Sequence, residues 1–470
     1  MTERPSPARV AVVLGGSHTG MLAAAALTGL ADRVVVVERD ELPEGPAPRK
    51  GLPQARHAHM LWSGGVRAME ELLPGITGTL LDAGARRAPV TTDMVIHSAH
   101  GWFRRWPESH HVILAGRDLL DATVRARVLA DERVEVLGGA EALGLVGGAE
   151  AVTGVRVREA DGRERTIEAG TVVDATGRAS GTPRWLADLG LATPERREVD
   201  SGLAYASRLY LAPEQARDGF PVVSVQPDTR EPGPGRSGFL LPIEDGRWIA
   251  TLNGTRGGEP TAADASGDDF VRFAREELRH PLIGDLLARA EPLSEVAFTR
   301  TTVNRRYFYE RAASWPENFT VLGDALAAYN PVYGHGLAVG AQSALILRDL
   351  TRRHGFGAAG LSRRVQKAVA RPVGAAWDLA TGQDVFHPGA TEAGPTARDR
   401  LVAAYVSRLM RTATGNGRIA RRVTDVTSLE RRAEVLLAPS VLLAAVVGPL
   451  KPALVEPPLT AEELKMVGLQ

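Results

Sequence analysis

The chain has 470 residues, enough for two or three domains, and 44% of them are hydrophobic, as is usual for a globular protein. Its 56 basic and 56 acidic residues cancel, so no overall field favours nucleic acid or an anionic membrane as a partner. It has no cysteine, which excludes disulfides, cysteine-held metal centres and thiol catalysis, and we expect no metal site.

Two stretches bear on where the protein resides. The first residues, MTERPSPAR, lack the apolar core of a signal segment, which favours a cytoplasmic protein. Residues 435–450, VLLAPSVLLAAVVGPL, carry no charge but are shorter than the roughly 20 residues of a membrane-spanning helix, and they contain prolines and a glycine. We therefore expect no spanning segment. The stretch is either a buried or partner-facing helix, or a helix that docks on a surface and admits apolar substrate.

The first motif is a nucleotide-binding pattern. An apolar strand over residues 9–14 leads into the loop GGSHTG, a helix over residues 21–30 follows, and a second strand over residues 33–37 ends at Glu38. In such a unit the glycines permit the tight turn, the helix N-terminus holds a pyrophosphate and the acid binds a ribose. Ser17 replaces the middle glycine and is still small enough for close approach. The predicted nucleotide contacts are Gly15, Gly16, Ser17, Gly20, Glu38 and Arg39.

Two basic segments come next. Residues 49–59, RKGLPQARHAH, form a polar loop before a helix that is predicted to begin near Met60. This loop is either simply solvated or covers the pyrophosphate and the mouth of the site. Further on, Arg117 begins a helix directly after the strand VILA and a glycine, so its side chain is able to reach back to a phosphate or a ribityl group.

The middle of the chain favours strands. Residues 133–173 predict a three-strand meander that runs into VVDATGRAS, and residues 270–289 predict helices. A second sheet is predicted from four strands and one long strand, with a hairpin turn at Glu244-Asp245-Gly246. The four strands cover residues 200–211, 221–225, 237–243 and 248–254, and the long strand covers residues 294–308.

The most informative stretch is VLGDALAAYNPVYGHGL, residues 321–337. An apolar strand ends at a carboxylate, Asp324, and a glycine-flanked turn then opens a long helix that runs to about Arg353. Glycines let a backbone lie against a planar ligand, and a helix N-terminus suits the electron-rich N1 and O2 edge of a flavin. Asp324 is placed to accept a ribityl hydroxyl. The alternative is an ordinary strand–turn–helix with a capping aspartate. Further predicted flavin contacts are Pro331, Gly334, His335, Gly336 and Leu337.

These elements predict a mixed α/β fold with a discontinuous Rossmann-type FAD domain, an antiparallel-sheet substrate domain and C-terminal helices. The FAD domain is assigned to residues 1–75, 110–195 and 300–380, the substrate domain to 76–109 and 196–299, and the helical region to 381–470, with a break over 387–396. A substrate pocket between sheet and flavin is predicted to include Tyr205, Phe239, Leu241 and Tyr329, although aromatic residues in such sheets also serve as core.

Together the three motifs resemble the group A flavoprotein monooxygenases, which have the para-hydroxybenzoate hydroxylase fold. More closely, the chain resembles the squalene-epoxidase-like epoxidases of polyether antibiotic pathways. The stretches that carry this resemblance are RKGLPQARHAHMLWSGG, PIEDGRWIATLNGTRGGEP, TTVNRR and LGDALAAYNPVYGHG, and it extends to about Ala380. It implies FAD contacts at Glu38, Arg117 and Asp324, and also at Lys50 and Arg56.

The resemblance implies epoxidation of alkenes in a long apolar polyene, with O2 and NAD(P)H-derived electrons. An alkene reacts directly with a flavin C4a-hydroperoxide, so no side-chain acid or base is expected to be catalytic. No second glycine-rich fingerprint follows a strand, and Thr176 stands where the family's middle motif has an acid. We therefore favour electron delivery by a partner flavin reductase over direct docking of NAD(P)H.

Other functions stay open at this point. A flavin-dependent hydroxylase of a phenolic intermediate is the main alternative, and it would need a base for the phenol proton, with His57, His59, His97 and His335 as candidates. A halogenase would need a WxWxIP segment, which WFRRWP does not supply. A nicotinamide-dependent dehydrogenase with the same first fingerprint and a non-catalytic flavin protein complete the alternatives.

Overall fold

The computed structural model describes residues 9–228, 234–260 and 268–469. Residues 1–8, on which the expectation of no signal segment rests, lie outside the described part. The described strands are β1 (Val10–Leu14), β2 (Arg33–Val37), β3 (Met60–Trp62), β4 (Arg86–Pro89), β5 (Met94–Ser98), β6 (Gly101–Trp102), β7 (His111–Leu114), β8 (Val134–Leu137), β9 (Glu141–Gly147), β10 (Val152–Arg158), β11 (Glu164–Glu168), β12 (Thr171–Asp174), β13 (Arg196–Val199), β14 (Ala204–Leu211), β15 (Val222–Val225), β16 (Arg236–Pro242), β17 (Arg247–Gly254), β18 (Glu291–Pro292), β19 (Ala297–Thr299), β20 (Asn304–Tyr307), β21 (Phe319–Val321) and β22 (Ala327–Ala328). The described helices are α1 (His18–Leu27), α2 (Ser63–Leu72), α3 (Ile76–Asp82), α4 (Arg117–Leu129), α5 (Thr182–Asp188), α6 (Asp268–Glu276), α7 (Leu282–Leu287), α8 (Gly336–His354), α9 (Leu361–Asp384), α10 (Ala397–Gly415), α11 (Gly417–Thr427), α12 (Pro439–Val447) and α13 (Ala461–Met466).

A parallel sheet in the order β21-β12-β1-β2-β8 forms the centre of the molecule. Its inner strands β1, β2 and β12 are rich in valine because both of their faces are buried. The predicted strand–helix–strand unit is confirmed, but α1 begins at His18 and ends at Leu27, three residues earlier at each end than predicted. It ends early because Thr28 is extended and Gly29 takes a φ of 80°, which no right-handed helix contains.

The second sheet is antiparallel except where β15 pairs with β5, and follows the order β18-β14-β17-β16-β15-β5-β6, with β19 also on β14. All four predicted strands are confirmed within it, although the first begins at Ala204 rather than at residue 200. The hairpin between β16 and β17 is also confirmed: Asp245 and Gly246 have φ values of 60° and 64°, the left-handed pair of a type I′ turn.

Two local predictions were wrong. The single strand over residues 294–308 is two strands in different sheets, because β19 pairs with β14 whereas β20 pairs with β13 and β22. The helix expected near Met60 begins at Ser63, because residues 60–62 pair with β7 as the strand β3. The meander is confirmed as β9, β10 and β11, whereas β8 and β12 on either side of it join the parallel sheet.

The longer helices pack in three separate places. Helices α1, α2, α8 and α9 pack with the parallel sheet in the largest core, and α6 and α7 pack against the antiparallel sheet. Helices α10, α11 and α12 share a small separate core. The predicted break after α9 is confirmed, since α10 begins at Ala397. The predicted fold class, a parallel Rossmann-like core with antiparallel sheets and C-terminal helices, is confirmed.

Candidate functional site

A cavity of about 1370 Å³ opens where the carboxyl ends of the parallel strands meet the antiparallel sheet. It is larger than the roughly 300–1,000 Å³ of pockets for drug-sized ligands, so it has room for a dinucleotide and a substrate. Most of the residues predicted as site residues line it: Gly15, Ser17, Glu38, Arg39, Lys50, Arg56, Arg117, Tyr205, Phe239, Leu241, Asp324, Tyr329, Pro331, Gly334, His335, Gly336 and Leu337. The two others, Gly16 and Gly20, do not line it and instead shape the first loop.

The first loop presents the N-terminus of α1 to the cavity. Gly20 must lack a side chain, because a Cβ there would lie 1.8 Å from the carbonyl oxygen of Gly15. Ser17, the replacement for the middle glycine, accepts a hydrogen bond of 3.0 Å from the guanidinium of Arg117, which is also ion-paired with Asp121 at 2.8 Å. The helix N-terminus and a fixed cation thus converge on one point, an arrangement suited to a pyrophosphate.

Glu38 is buried at the end of β2 and is held from several sides. Its carboxylate accepts the backbone N–H of Gly16 at 2.6 Å and that of Asp40 at 3.0 Å. Arg49 pairs with Glu38 at 2.9 Å and with Asp40 at 3.4 Å. An ionised carboxylate has about four acceptor positions, so one stays available for a ribose hydroxyl. Arg49 was not among the predicted site residues, although it begins the basic loop that the sequence singles out.

The rest of the basic loop lies at the rim of the cavity. Lys50 and Arg56 are exposed, and Arg39 donates a hydrogen bond of 3.3 Å to the carbonyl of Gly51. The ion pairs of Arg49 hold this loop against the end of β2. The exposed Lys50 and Arg56 of this loop both line the cavity.

Asp324 of the third motif also lines the cavity, and 40% of its side chain is exposed. Burial of its surroundings raises the pKa of this carboxyl, and the charges of Arg178, Arg117 and Arg305 oppose that shift. The nearest cation is the Nε of Arg178, 3.8 Å away. Arg178 belongs to the middle motif and donates to the backbone carbonyls of Val303 and Tyr329, so it ties that motif to the third one.

A second buried carboxylate fixes the middle motif itself. Asp174, fully buried at the end of β12, accepts the backbone N–H of Thr176 at 2.9 Å and its hydroxyl at 2.6 Å. The hydroxyls of Ser180 and Thr182 donate to its other oxygen. Thr176 is thus a partner of Asp174 rather than an acid of its own, and Arg178 is held where it faces Asp324.

The turn that precedes α8 is held by a buried network around Asp384, at the end of α9. Asn304 and Asn330 donate to one carboxylate oxygen at 2.7 and 2.9 Å, and the hydroxyl of Tyr333 donates to the other at 2.8 Å. Ser201 adds a longer contact of 3.3 Å. Asp384 was not predicted, because its partners lie 51 to 183 positions away in the chain.

The antiparallel sheet supplies the opposite wall of the cavity. Nδ1 of His57 lies 2.8 Å from the hydroxyl of Ser207, which lies 2.6 Å from that of Thr251. The ring of His57 meets that of Tyr205 edge-on with centroids 4.4 Å apart. Phe239 and Leu241 extend the same wall, so it combines an apolar surface with one hydrogen-bonded chain.

Four histidines line the cavity, and burial lowers the pKa of each. The pKa is lowered to about 4 for His18, His57 and His335, and to about 3 for His59. In every case burial is the largest cause, and the nearby cations Arg117 or Arg56 add to it for three of them. These rings are therefore neutral at pH 7.

The C-terminal helices contact the site from outside. Nε2 of His335 lies 2.9 Å from the carbonyl of Thr427, and Gly64 donates to Ser428 at 3.1 Å. The apolar stretch 435–450 contains α12 and does not contribute to the lining of the cavity. In the described part of the chain, none of the helices has the length and apolar character needed to span a membrane.

Comparisons with known proteins agree with this geometry. A family model described as FAD dependent oxidoreductase matches residues 11–182. Protein Rv3254 of Mycobacterium tuberculosis (strain ATCC 25618 / H37Rv) is 29% identical over 411 residues, which cover 83% of each chain. Among solved structures, the flavin-dependent brominase Bmp2 is similar with a TM-score of 0.60 and 14% identity, over 89% of this chain and 92% of that one. PqsL, a probable FAD-dependent monooxygenase from Pseudomonas aeruginosa, is similar with a TM-score of 0.60 and 19% identity, over 80% and 96%.

At these identities the structural similarity concerns the fold, which is the para-hydroxybenzoate hydroxylase type that the sequence predicts. The family model covers residues 11–182, which contain the first glycine loop, Glu38, Arg117 and the middle motif.

Proposed function

We propose that this chain is an FAD-dependent monooxygenase and that FAD extends along the cavity from Glu38 to the start of α8. In this assignment Glu38 binds the adenosine ribose, Ser17 and Arg117 face the pyrophosphate, and Asp324 accepts a ribityl hydroxyl. The observation that supports the proposal is that four segments far apart in the chain, which contain Ser17, Glu38, Arg117 and Asp324, line one cavity.

We assign the substrate side to the wall formed by Tyr205, Phe239 and Leu241, and the substrate to a long apolar polyene, such as a polyether precursor, whose alkenes are epoxidised. Bound FAD would supply the activation of O2 and the transfer of one oxygen atom. The residues of the chain then have three tasks, which are to exclude water, to hold a double bond near the ring and to select its face. An apolar wall suits all three.

The protonation behaviour of the cavity favours alkene oxidation. An effective general base has a pKa near the working pH, but the cavity histidines have pKa values lowered to about 4 or below. The alternative, hydroxylation of a phenol, is supported by the hydrogen-bonded chain of His57, Ser207 and Thr251 in the sheet wall.

For the electron source we propose a partner flavin reductase rather than direct docking of NAD(P)H. Thr176 is engaged with Asp174 and adds no charged group to the middle motif. Lys50 and Arg56 are exposed and line the cavity, so the cavity is open to solution beside them. A flavin delivered by a reductase could therefore enter there.

The cofactor assignment is tested by the colour of the protein. Purified protein should carry FAD that denaturation releases, because no cysteine is present for a thioether link. Asp324→Ala should be folded by circular dichroism and largely colourless. Asp349→Ala removes an exposed aspartate from the far end of α8 and is the matched control, which should stay yellow. A fully yellow Asp324→Ala protein would exclude the proposed ribityl contact.

The reaction is tested with a panel of polyenes and phenols under ¹⁸O2, supplied with an added flavin reductase and NADH. Mass spectrometry should show one labelled oxygen per epoxide in a polyene product and no labelled phenol. Labelled ring hydroxylation with unreacted polyenes would establish the hydroxylase alternative. In a separate mixture with NAD⁺ and no reductase, substrate-dependent formation of NADH without oxygen use would establish a dehydrogenase.

A further inference from the structure

Large apolar side chains exposed to solvent are concentrated at one end of the chain. Among the described residues, twelve large hydrophobic side chains are exposed, and nine of them follow residue 400. These nine are Leu401, Val402, Leu437, Leu442, Leu443, Val446, Val447, Leu450 and Val455, and we refer to them as the apolar C-terminal surface. Scattered apolar residues are normal on a protein surface, whereas a concentration of this kind marks an interaction site.

Helix α12 is apolar on both of its faces. Val441 and Ala445, four residues apart, are buried in the small core shared with α10 and α11. On the outer face Leu443 and Val446 are exposed to 66% and 71%. A helix on the edge of an ordinary globular protein carries polar residues on its outer face, so the sequence here maintains an apolar surface that the described part of the chain does not cover.

Positive charge accompanies this surface. Between residues 397 and 451 the sequence contains ten basic and four acidic residues, although the whole chain has no net charge. Exposed Arg431 and Arg432 precede the apolar stretch, and exposed Lys451 follows it. Arg408 donates hydrogen bonds to the last carbonyls of α12 at 2.6 and 2.7 Å, which fixes a further cation beside the apolar face.

We propose that the apolar C-terminal surface docks on an anionic lipid surface, with α12 lying in the plane of the interface. An apolar helix face with flanking cations is the combination that binds there, since buried apolar area and attraction to anionic headgroups add. A helix of nine residues is too short to span the bilayer, so the association is peripheral. A second copy of this chain would bring the same cations together, which disfavours self-association through this face. The proposal does not depend on the flavin chemistry.

Flotation of the purified full-length protein with vesicles tests the proposal. The protein should float with vesicles of equal parts phosphatidylglycerol and phosphatidylcholine at low salt, and much less with phosphatidylcholine alone. Binding should weaken at high salt, because the screening length falls from about 10 Å at 0.1 M to about 3 Å at 1 M ionic strength.

The variants distinguish lipid binding through the apolar C-terminal surface from non-specific adsorption to vesicles. Leu443→Glu and Val446→Glu should each lower the partition coefficient about tenfold or more, because each loses apolar burial and adds a repelled charge. The double variant Arg431→Gln, Arg432→Gln should lower it about fivefold per charge. Leu293→Glu is the matched control, since Leu293 is 46% exposed but lies outside the surface, and it should float like the natural protein. Circular dichroism confirms that each variant is folded.

Three results would overturn the proposal. The first is no flotation of the natural protein with anionic vesicles. The second is equal flotation of the folded Leu443→Glu variant and the natural protein. The third is a dimer in light scattering that Val446→Glu dissociates, in a protein that does not bind vesicles, because the surface would then be a contact between two copies of the chain.

Discussion

Replacement of Asp384 should loosen the turn before α8 while leaving the rest of the fold intact. The carboxylate is the shared acceptor for the side chains of Asn304, Asn330 and Tyr333. Asn330 also accepts the backbone N–H of Val332 and so shapes the turn itself. Asp384 is 3% exposed, so water does not readily take its place.

The expected cost follows from the donors that the change strands. A buried donor left without an acceptor costs about 1–3 kcal/mol. Asp384→Ala strands the donors of Asn304, Asn330 and Tyr333, together with the more distant Ser201. Because neighbouring groups relax and the costs do not add fully, we expect a loss of about 3–5 kcal/mol in the free energy of unfolding. Asp384→Asn keeps one acceptor oxygen, and its amide N–H can donate to the oxygen of Tyr333, so it should cost about 1–2 kcal/mol.

Urea unfolding and FAD titration together measure the effect. Asp378→Ala is the matched control, because Asp378 lies on the same helix but is exposed. We expect Asp378→Ala to be the most stable of the three variants, Asp384→Asn to be less stable and Asp384→Ala to be the least stable. The affinity for FAD should fall about tenfold or more in Asp384→Ala, because a loss of about 1.4 kcal/mol in turn stability corresponds to a factor of ten in affinity. If Asp384→Ala unfolded at the same urea concentration as the control and bound FAD as tightly, the network would not hold the turn.

Four further predictions concern the cavity. His57→Gln should lower the rate of product formation by at most about tenfold, against the roughly 10²–10⁴-fold of a true general base, and a near-total loss with normal flavin reduction would favour the hydroxylase. Phe239→Trp or Tyr205→Trp should change which alkene reacts or increase the release of peroxide, measured as peroxide formed per O2 consumed. If neither the alkene selectivity nor this ratio changed, these residues would not line the substrate pocket. NADPH alone should not bleach the flavin rapidly in a stopped-flow cell, and rapid bleaching would refute the need for a reductase. Burial lowers the pKa of His18 from 6.5 to about 4, so the ring takes up a proton in the unfolded chain before it does in the folded protein as pH falls. The free energy of unfolding should therefore drop between pH 6.5 and 4. His18→Gln should reduce the slope of this drop by up to about 1.4 kcal/mol per pH unit, measured from urea unfolding midpoints.

The parts of the fold that the sequence predicts well are those set by neighbouring residues. The unit from β1 to β2 carries its own signals, which are a glycine loop, an apolar helix and a terminal acid. The turn at Asp245 and Gly246 is encoded by two residues that tolerate positive φ. Errors occur where pairing is non-local. Residues 297–299 and 304–307 read as one run of strand, but their partners belong to different sheets, and no local pattern specifies those partners.

The same division applies to the site. Gly15, Glu38, Arg117 and Asp324 stand at the ends of recognisable strands and helices, and all four line the cavity. Arg178 and Asp384 act through hydrogen bonds to residues far away in the chain, so only the folded arrangement identifies them. Arg49 lies between these cases, because its loop is conspicuous in the sequence but its pairing with Glu38 is not.

The order of the strands in the parallel sheet also has a consequence for biosynthesis. β1 lies between β2 and β12, and β12 pairs with β21, so Val12 meets Val172 and Val172 meets Phe319. During translation, about two thirds of the chain must therefore be synthesised before β21 is available to complete the sheet that contains β1 and β2. Contacts of such long range are slow to form, and apolar strands exposed meanwhile are prone to aggregate. A cofactor would then bind only after this part of the chain is synthesised, and because it binds only the folded sheet it would shift the equilibrium towards the folded state. Expression in flavin-depleted cells should accordingly yield less soluble protein from the same amount of translated chain.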